Sequence, residues 1–83
     1  MKIDSIKEKY QGEEFLQADG FDMAIIGVDE MQMRLIYSVT NCIRILMEDM
    51  PEDEALEYFE HSVSSAYVGE KTPIWCYDYF LIY

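Results

Sequence analysis

Between Glu48 and Glu60 the chain places seven acidic residues, Glu48, Asp49, Glu52, Asp53, Glu54, Glu57 and Glu60, and no basic one. Carboxylates at this density offer three kinds of chemistry: ligation of hard cations, general acid–base work, and electrostatic attraction of a basic surface. Spacing narrows the choice. Asp53, Glu57 and Glu60 follow one another at steps of four and three residues, so on a helix they share a face, with Glu54 beside Glu57. Such neighbours lie roughly 5–6 Å apart at Cβ, within about a factor of two of the ~3.4 Å of axis per phosphate along one DNA strand. A helix of this kind imitates the electrostatic face of a nucleic acid and suits a basic groove. The plainer alternative is a solvated helix face, whose first-turn acids Glu52, Asp53 and Glu54 serve the positive end of the helix dipole.

The other chemistries find less support. Glu57, Glu60 and His61 fall within about one helical turn, but there is no calcium loop with alternating Asp and Gly. His61 is the only histidine, and Cys42 and Cys76 do not form a Cys-x-x-Cys pair, so no zinc site is expected. Ser64 and Ser65 follow His61 without the Gly-x-Ser-x-Gly turn that exposes a nucleophile. Gly27 and Gly69 stand alone, which leaves no glycine-rich phosphate loop. Neither enzymatic activity nor a cofactor is expected. Direct nucleic-acid binding is disfavoured too: Lys2, Lys7, Lys9, Arg34, Arg44 and Lys71 are scattered, and the formal net charge is −11.

The elements that must carry these residues are legible from periodicity. Ser5-Ile6-Lys7-Glu8 has the form of a capping box and predicts a short helix from Ser5 to about Gln11, broken by Gly12. Gln17-Ala18-Asp19-Gly20 reads as a turn, and residues 1–22 otherwise carry mixed signals. Met23–Val28 reads as a buried strand and Met33–Val39 as an alternating one, joined through Asp29-Glu30-Met31-Gln32. In the second strand Met33, Leu35, Tyr37 and Val39 share one face; Arg34, Ile36 and Ser38 share the other. Ser38 or Thr40 caps the next helix, along which Val39, Cys42, Ile43, Leu46, Met47 and Met50 form an apolar stripe. Pro51 opens a second helix, with Leu56, Phe59, Val63, Ala66 and Tyr67 as its buried stripe and Gly69 as its stop. Lys71-Thr72-Pro73 is a loop, and Ile74–Tyr77 a third strand. The expected architecture over residues 1–83 is one small acidic α+β domain: a mostly antiparallel sheet of about three strands with two helices on one face. The stretch Gly69, Glu70, Lys71 and Thr72 either redirects the chain after the helix or serves as a contact loop beside the acidic face.

A hydrophobic fraction of 51% supports a folded core rather than an acidic disordered tail. The N-terminus has no apolar run of the secretory kind, so a cytoplasmic setting with both thiols reduced is expected. No segment is long and apolar enough to cross a membrane. Tyr58, Tyr67, Tyr77, Tyr79 and Tyr83 crowd the C-terminal half. With the apolar run Phe80-Leu81-Ile82 among them, they suggest a homodimer through the C-terminal aromatic segment.

Several strings are similar to a family of small proteins of bacteriophages and other viral genomes. They are Ala18-Asp19-Gly20-Phe21-Asp22 followed by Ala24-Ile25-Ile26-Gly27-Val28, Cys42-Ile43-x-Ile45-Leu46, Glu54-Ala55-Leu56-Glu57-Tyr58-Phe59-Glu60, and Ala66-Tyr67-Val68-Gly69-Glu70-x-Thr72-Pro73-Ile74. The resemblance covers about residues 14–76, and its last stretch is the most specific. It implies phage origin, a setting in the host cytoplasm and an accessory role, and it assigns no activity. Two features depart from the family pattern: Pro51 stands where relatives have a serine or threonine cap, and Tyr77–Tyr83 extends the chain. The resulting expectation is a phage-type protein that binds a basic protein of host or phage, in its sharpest form as a DNA mimic inhibiting a host defence enzyme. The alternative is a self-associating structural or scaffolding protein.

Overall fold

A computed structural model of the chain describes residues 2–66 and 69–78. Helix α1 (Lys2–Lys9) begins ahead of the expected Ser5 start and encloses the capping-box residues. Its apolar pair explains this: Ile3 is buried and Ile6 packs against the core, so the helix must already be formed at Ile3.

Strands β1 (Ile25–Asp29) and β2 (Arg34–Ser38) form the expected antiparallel hairpin, with Val28 opposite Leu35 and Asp29 opposite Arg34. The first strand starts later than the expected Met23, because Asp22–Ala24 form a 3₁₀ turn that leaves Met23 exposed. In the connection, Asp29 Oδ1 accepts a hydrogen bond from the Met31 amide at 3.0 Å, and Met33 adopts a φ of 55° to re-enter the sheet. The register shifts between Ile25 and Gly27, a bulge that leaves Ile26 exposed. The alternation of β2 holds: Leu35 and Tyr37 are fully buried. Ser38, on the opposite face by period, is fully buried too, because it caps the helix that follows.

Helix α2 (Val39–Leu46) buries Val39, Cys42 and Ile43 as the periodicity predicts. Met47 falls out of the expected stripe and is exposed, because the helix has ended at Leu46. Burial pushes the Cys42 thiol up to about 12, with the Asp78 charge adding to the effect. That thiol is a packing group rather than a nucleophile.

Helix α3 (Glu52–Tyr58) starts after Pro51 as expected and continues as a π-helical turn, Phe59–Val63, in which the Ser64 amide reaches the Phe59 carbonyl at 2.8 Å. The sequence places the stop at Gly69; the helix ends earlier. The Ser64 and Ser65 hydroxyls donate to the carbonyls of Glu60 (3.4 Å) and His61 (2.7 Å), and such back-bonding competes with helix continuation. The buried stripe also needs correction. Ala55 and Phe59 face the core, while Leu56 and Ala66 are exposed; Tyr67 lies outside the described residues.

Strand β3 (Ile74–Cys76) pairs with β2 in parallel, Tyr37 beside Trp75 and Ser38 beside Cys76, which gives the order β1-β2-β3. A parallel neighbour needs a long crossover, and α2 with α3 supplies it. The fold is α+β, with one antiparallel and one parallel strand pair. Its centre is an aromatic group: the Trp75 ring lies 5.2 Å from Tyr37 and 5.4 Å from Phe59 between centroids, the latter edge to face. These contacts fix α3 against the sheet and thereby set which way its carboxylates point.

Candidate functional site

At about 100° per residue, a helix that turns Ala55 and Phe59 inward turns Asp53 and Glu57 outward. All seven carboxylates of the block, Glu48, Asp49, Glu52, Asp53, Glu54, Glu57 and Glu60, are exposed. Glu48 and Asp49 sit in the turn after α2, where their amides donate to the carbonyls of Ile45 and Leu46. Among the described residues, ion pairs join Lys9 to Glu30 (3.8 Å) and Lys71 to Glu13 (3.5 Å), far along the chain from the block. None of the seven acids has such a partner among the described residues. Their charge is therefore directed at solvent, and their mutual repulsion opposes folding. Raising NaCl from low to moderate concentration should raise the melting temperature; a melting temperature that falls over that range would contradict an uncompensated face.

Among the described residues, no group of three or more His, Cys, Asp or Glu side chains is arranged to hold a metal ion, and His61 is exposed on the π-helical turn. The stretch from Gly69 to Thr72 is held by its own hydrogen bonds and by Arg34 and Glu13. Gly69 has a φ of 114°, which favours glycine. The Thr72 hydroxyl and amide both donate to its carbonyl at 2.6 and 3.1 Å, and Arg34 Nε donates to the Thr72 carbonyl at 2.6 Å. Thr72 is buried, Lys71 pairs with Glu13, and Glu70 alone of the four is exposed. These contacts serve to turn the chain into β3.

Two features escaped sequence reasoning. The first is Asp78. Its carboxylate accepts hydrogen bonds from the Ser38 hydroxyl and from the Thr40 amide (3.1 Å), while Ser38 Oγ accepts from the Asn41 amide at 3.0 Å. The start of α2 is thus capped twice, locally by Ser38 and from across the sheet by Asp78. Burial alone would raise the Asp78 carboxyl, but the hydrogen bonds from Ser38 and Thr40 outweigh it and hold it below its ordinary value. The second is a cleft between the 16–21 loop and the π-helical turn. An aspartate two residues past a short strand is a weak signal for the first. The lone Trp75, which needs partners from several elements, is the only sequence hint of the second.

The apolar tail Tyr79–Tyr83, on which the expectation of a homodimer rests, lies outside the described residues; Tyr77, just before it, is exposed. No helix among the described residues is long and apolar enough to cross a membrane. No protein-family model, curated protein or solved structure matches this chain.

Proposed function

We propose that this chain is a phage-type accessory protein that docks on a basic surface of a host or phage protein, led by the acidic face of α3. The observation that supports this reading is the exposure of all seven carboxylates without an ion-pair partner among the described residues. A surface charge already satisfied within its own chain has little left to offer a partner. An unsatisfied one steers encounter, and steering of this kind raises association rates by about 10- to 1,000-fold at low ionic strength. In its most specific form the face stands in for a stretch of phosphates and closes the nucleic-acid groove of a defence enzyme. The proposal requires no catalysis and no cofactor.

The test is capture of partners from host lysate on immobilised protein at low and moderate salt, beside a variant carrying Glu54→Gln, Glu57→Gln and Glu60→Gln. Capture should drop sharply with salt and with the substitutions, and short duplex DNA should compete if the face mimics phosphates. Capture indifferent to both salt and neutralisation would overturn charge-led docking.

A further inference from the structure

Tyr58 stands between two concavities, one mostly apolar and one of mixed lining that includes two glutamates. On one side is a cleft of about 370 Å³ whose walls include Leu16, Phe21, Tyr58, Val63, Pro73 and Trp75. On the other is a notch of about 550 Å³ bounded by Met50, Glu54, Glu57, Tyr58 and His61. Ser62 lines both, so the two are contiguous across one helical turn. The cleft rim is apolar and open to solvent: Leu16 is 39% exposed and Tyr58 47%. Asp19 lines the cleft as well, and Glu54 and Glu57 line the notch next to it.

A solvated acidic face needs no apolar cleft beside it, and an isolated cleft needs no carboxylates next to it. Together they are complementary to one kind of occupant. We infer that this surface recognises a segment of the partner that carries a large apolar side chain close to an arginine, the apolar group entering the cleft and the guanidinium entering the notch. This inference rests on the docking role of the acidic face and adds to it what the partner must present. In the notch, Glu54 and Glu57 supply carboxylates for a planar fork of donors and Tyr58 supplies an aromatic wall, a combination that suits arginine better than lysine. In the cleft, apolar contact supplies the selectivity that charge alone lacks. An extended chain advances about 3.3 Å per residue, so with Tyr58 as the shared wall the two side chains lie within a few residues of each other.

Selection of short random-sequence peptides on the immobilised full chain tests this. The enriched peptides should share a leucine or aromatic residue within a few positions of an arginine. Trp75 is the only tryptophan, so binding of an enriched, tryptophan-free peptide should change its emission. Replacing the apolar residue of that peptide with alanine should weaken binding by about tenfold or more. Glu54→Gln with Glu57→Gln should weaken it by a similar factor while leaving the unfolding midpoint unlowered, since relief of repulsion at this exposed site can only raise it. Enrichment of basic peptides that lack an apolar position, or that leave Trp75 emission unchanged, would overturn the two-part surface and leave charge-led docking intact. Selection showing no preference for basic residues would overturn both.

Discussion

Replacing Phe59 with alanine should destabilise the protein by about 3–5 kcal/mol. Phe59 is 1% exposed and meets Trp75 edge to face, and Trp75 in turn packs on Tyr37 of the central strand. Removing the ring deletes the contact that joins the π-helical turn to the sheet, and neighbouring side chains cannot close the void without moving α3. Total stability for a chain of this length is on the order of 4–12 kcal/mol, so the variant should be largely unfolded or have its urea midpoint shifted strongly downward. Leu56→Ala is the matched comparison. Leu56 belongs to the stripe that periodicity assigns to the core, yet it is 47% exposed, and its loss should cost well under about 1 kcal/mol. Equal costs for the two substitutions would mean that α3 is rotated from the orientation described, and with it the acidic face.

The second large effect concerns the start of α2. Ser38→Ala should cost about 2–3 kcal/mol, because it removes an N-cap and also leaves a half-buried carboxylate without its hydroxyl donor. Asp78→Asn should cost less and should change the pH dependence. A carboxyl depressed by folding contributes stability that is complete above its ordinary value of 3.8 and is lost as pH falls through the lower folded value. The wild-type protein should therefore lose stability through that acid window more steeply than the Asp78→Asn variant. Identical acid limbs in urea denaturation would show that Asp78 does not support the helix. Because Ser38 and Asp78 share one hydrogen bond, their substitutions should be non-additive in a double-mutant cycle.

The legible parts of this fold are those governed by local period. Alternation identified Leu35 and Tyr37 as the inward face of β2, and three- and four-residue spacing identified Val39, Cys42 and Ile43 on α2. Chemistry and position ahead of an apolar run left Ser38 and Thr40 as candidate caps, and the fold uses Ser38. What escaped depends on partners distant in sequence. Leu56 and Ala55 are adjacent, and which of them faces inward depends on how Phe59 meets Trp75, a contact that no window along the chain contains. The helix ends well before Gly69, where serine hydroxyls reach back to carbonyls one turn earlier and weaken the helix, a signal that the glycine stop obscured. The parallel placement of β3 is equally non-local, since a three-residue strand carries no mark of its direction. The acidic residues were easier: seven carboxylates with so few cations along the chain had to end on the surface, and they did. The cleft beside them was not legible, because Leu16, Tyr58 and Trp75 come together only in the folded chain.

Packing and charge meet in α3. Phe59 and Ala55 hold the helix by its buried side, and that fixed orientation presents Asp53 and Glu57 away from the core. The most direct measurement is the association rate constant of a captured partner with wild-type protein and with the Glu54→Gln, Glu57→Gln, Glu60→Gln variant, across a range of NaCl concentrations. The wild-type rate should fall steeply as salt rises. The variant should start slower at low salt, show a shallower dependence, and converge on the wild type at high salt. Coincident rates at every salt concentration would contradict the claim that these exposed carboxylates lead the encounter.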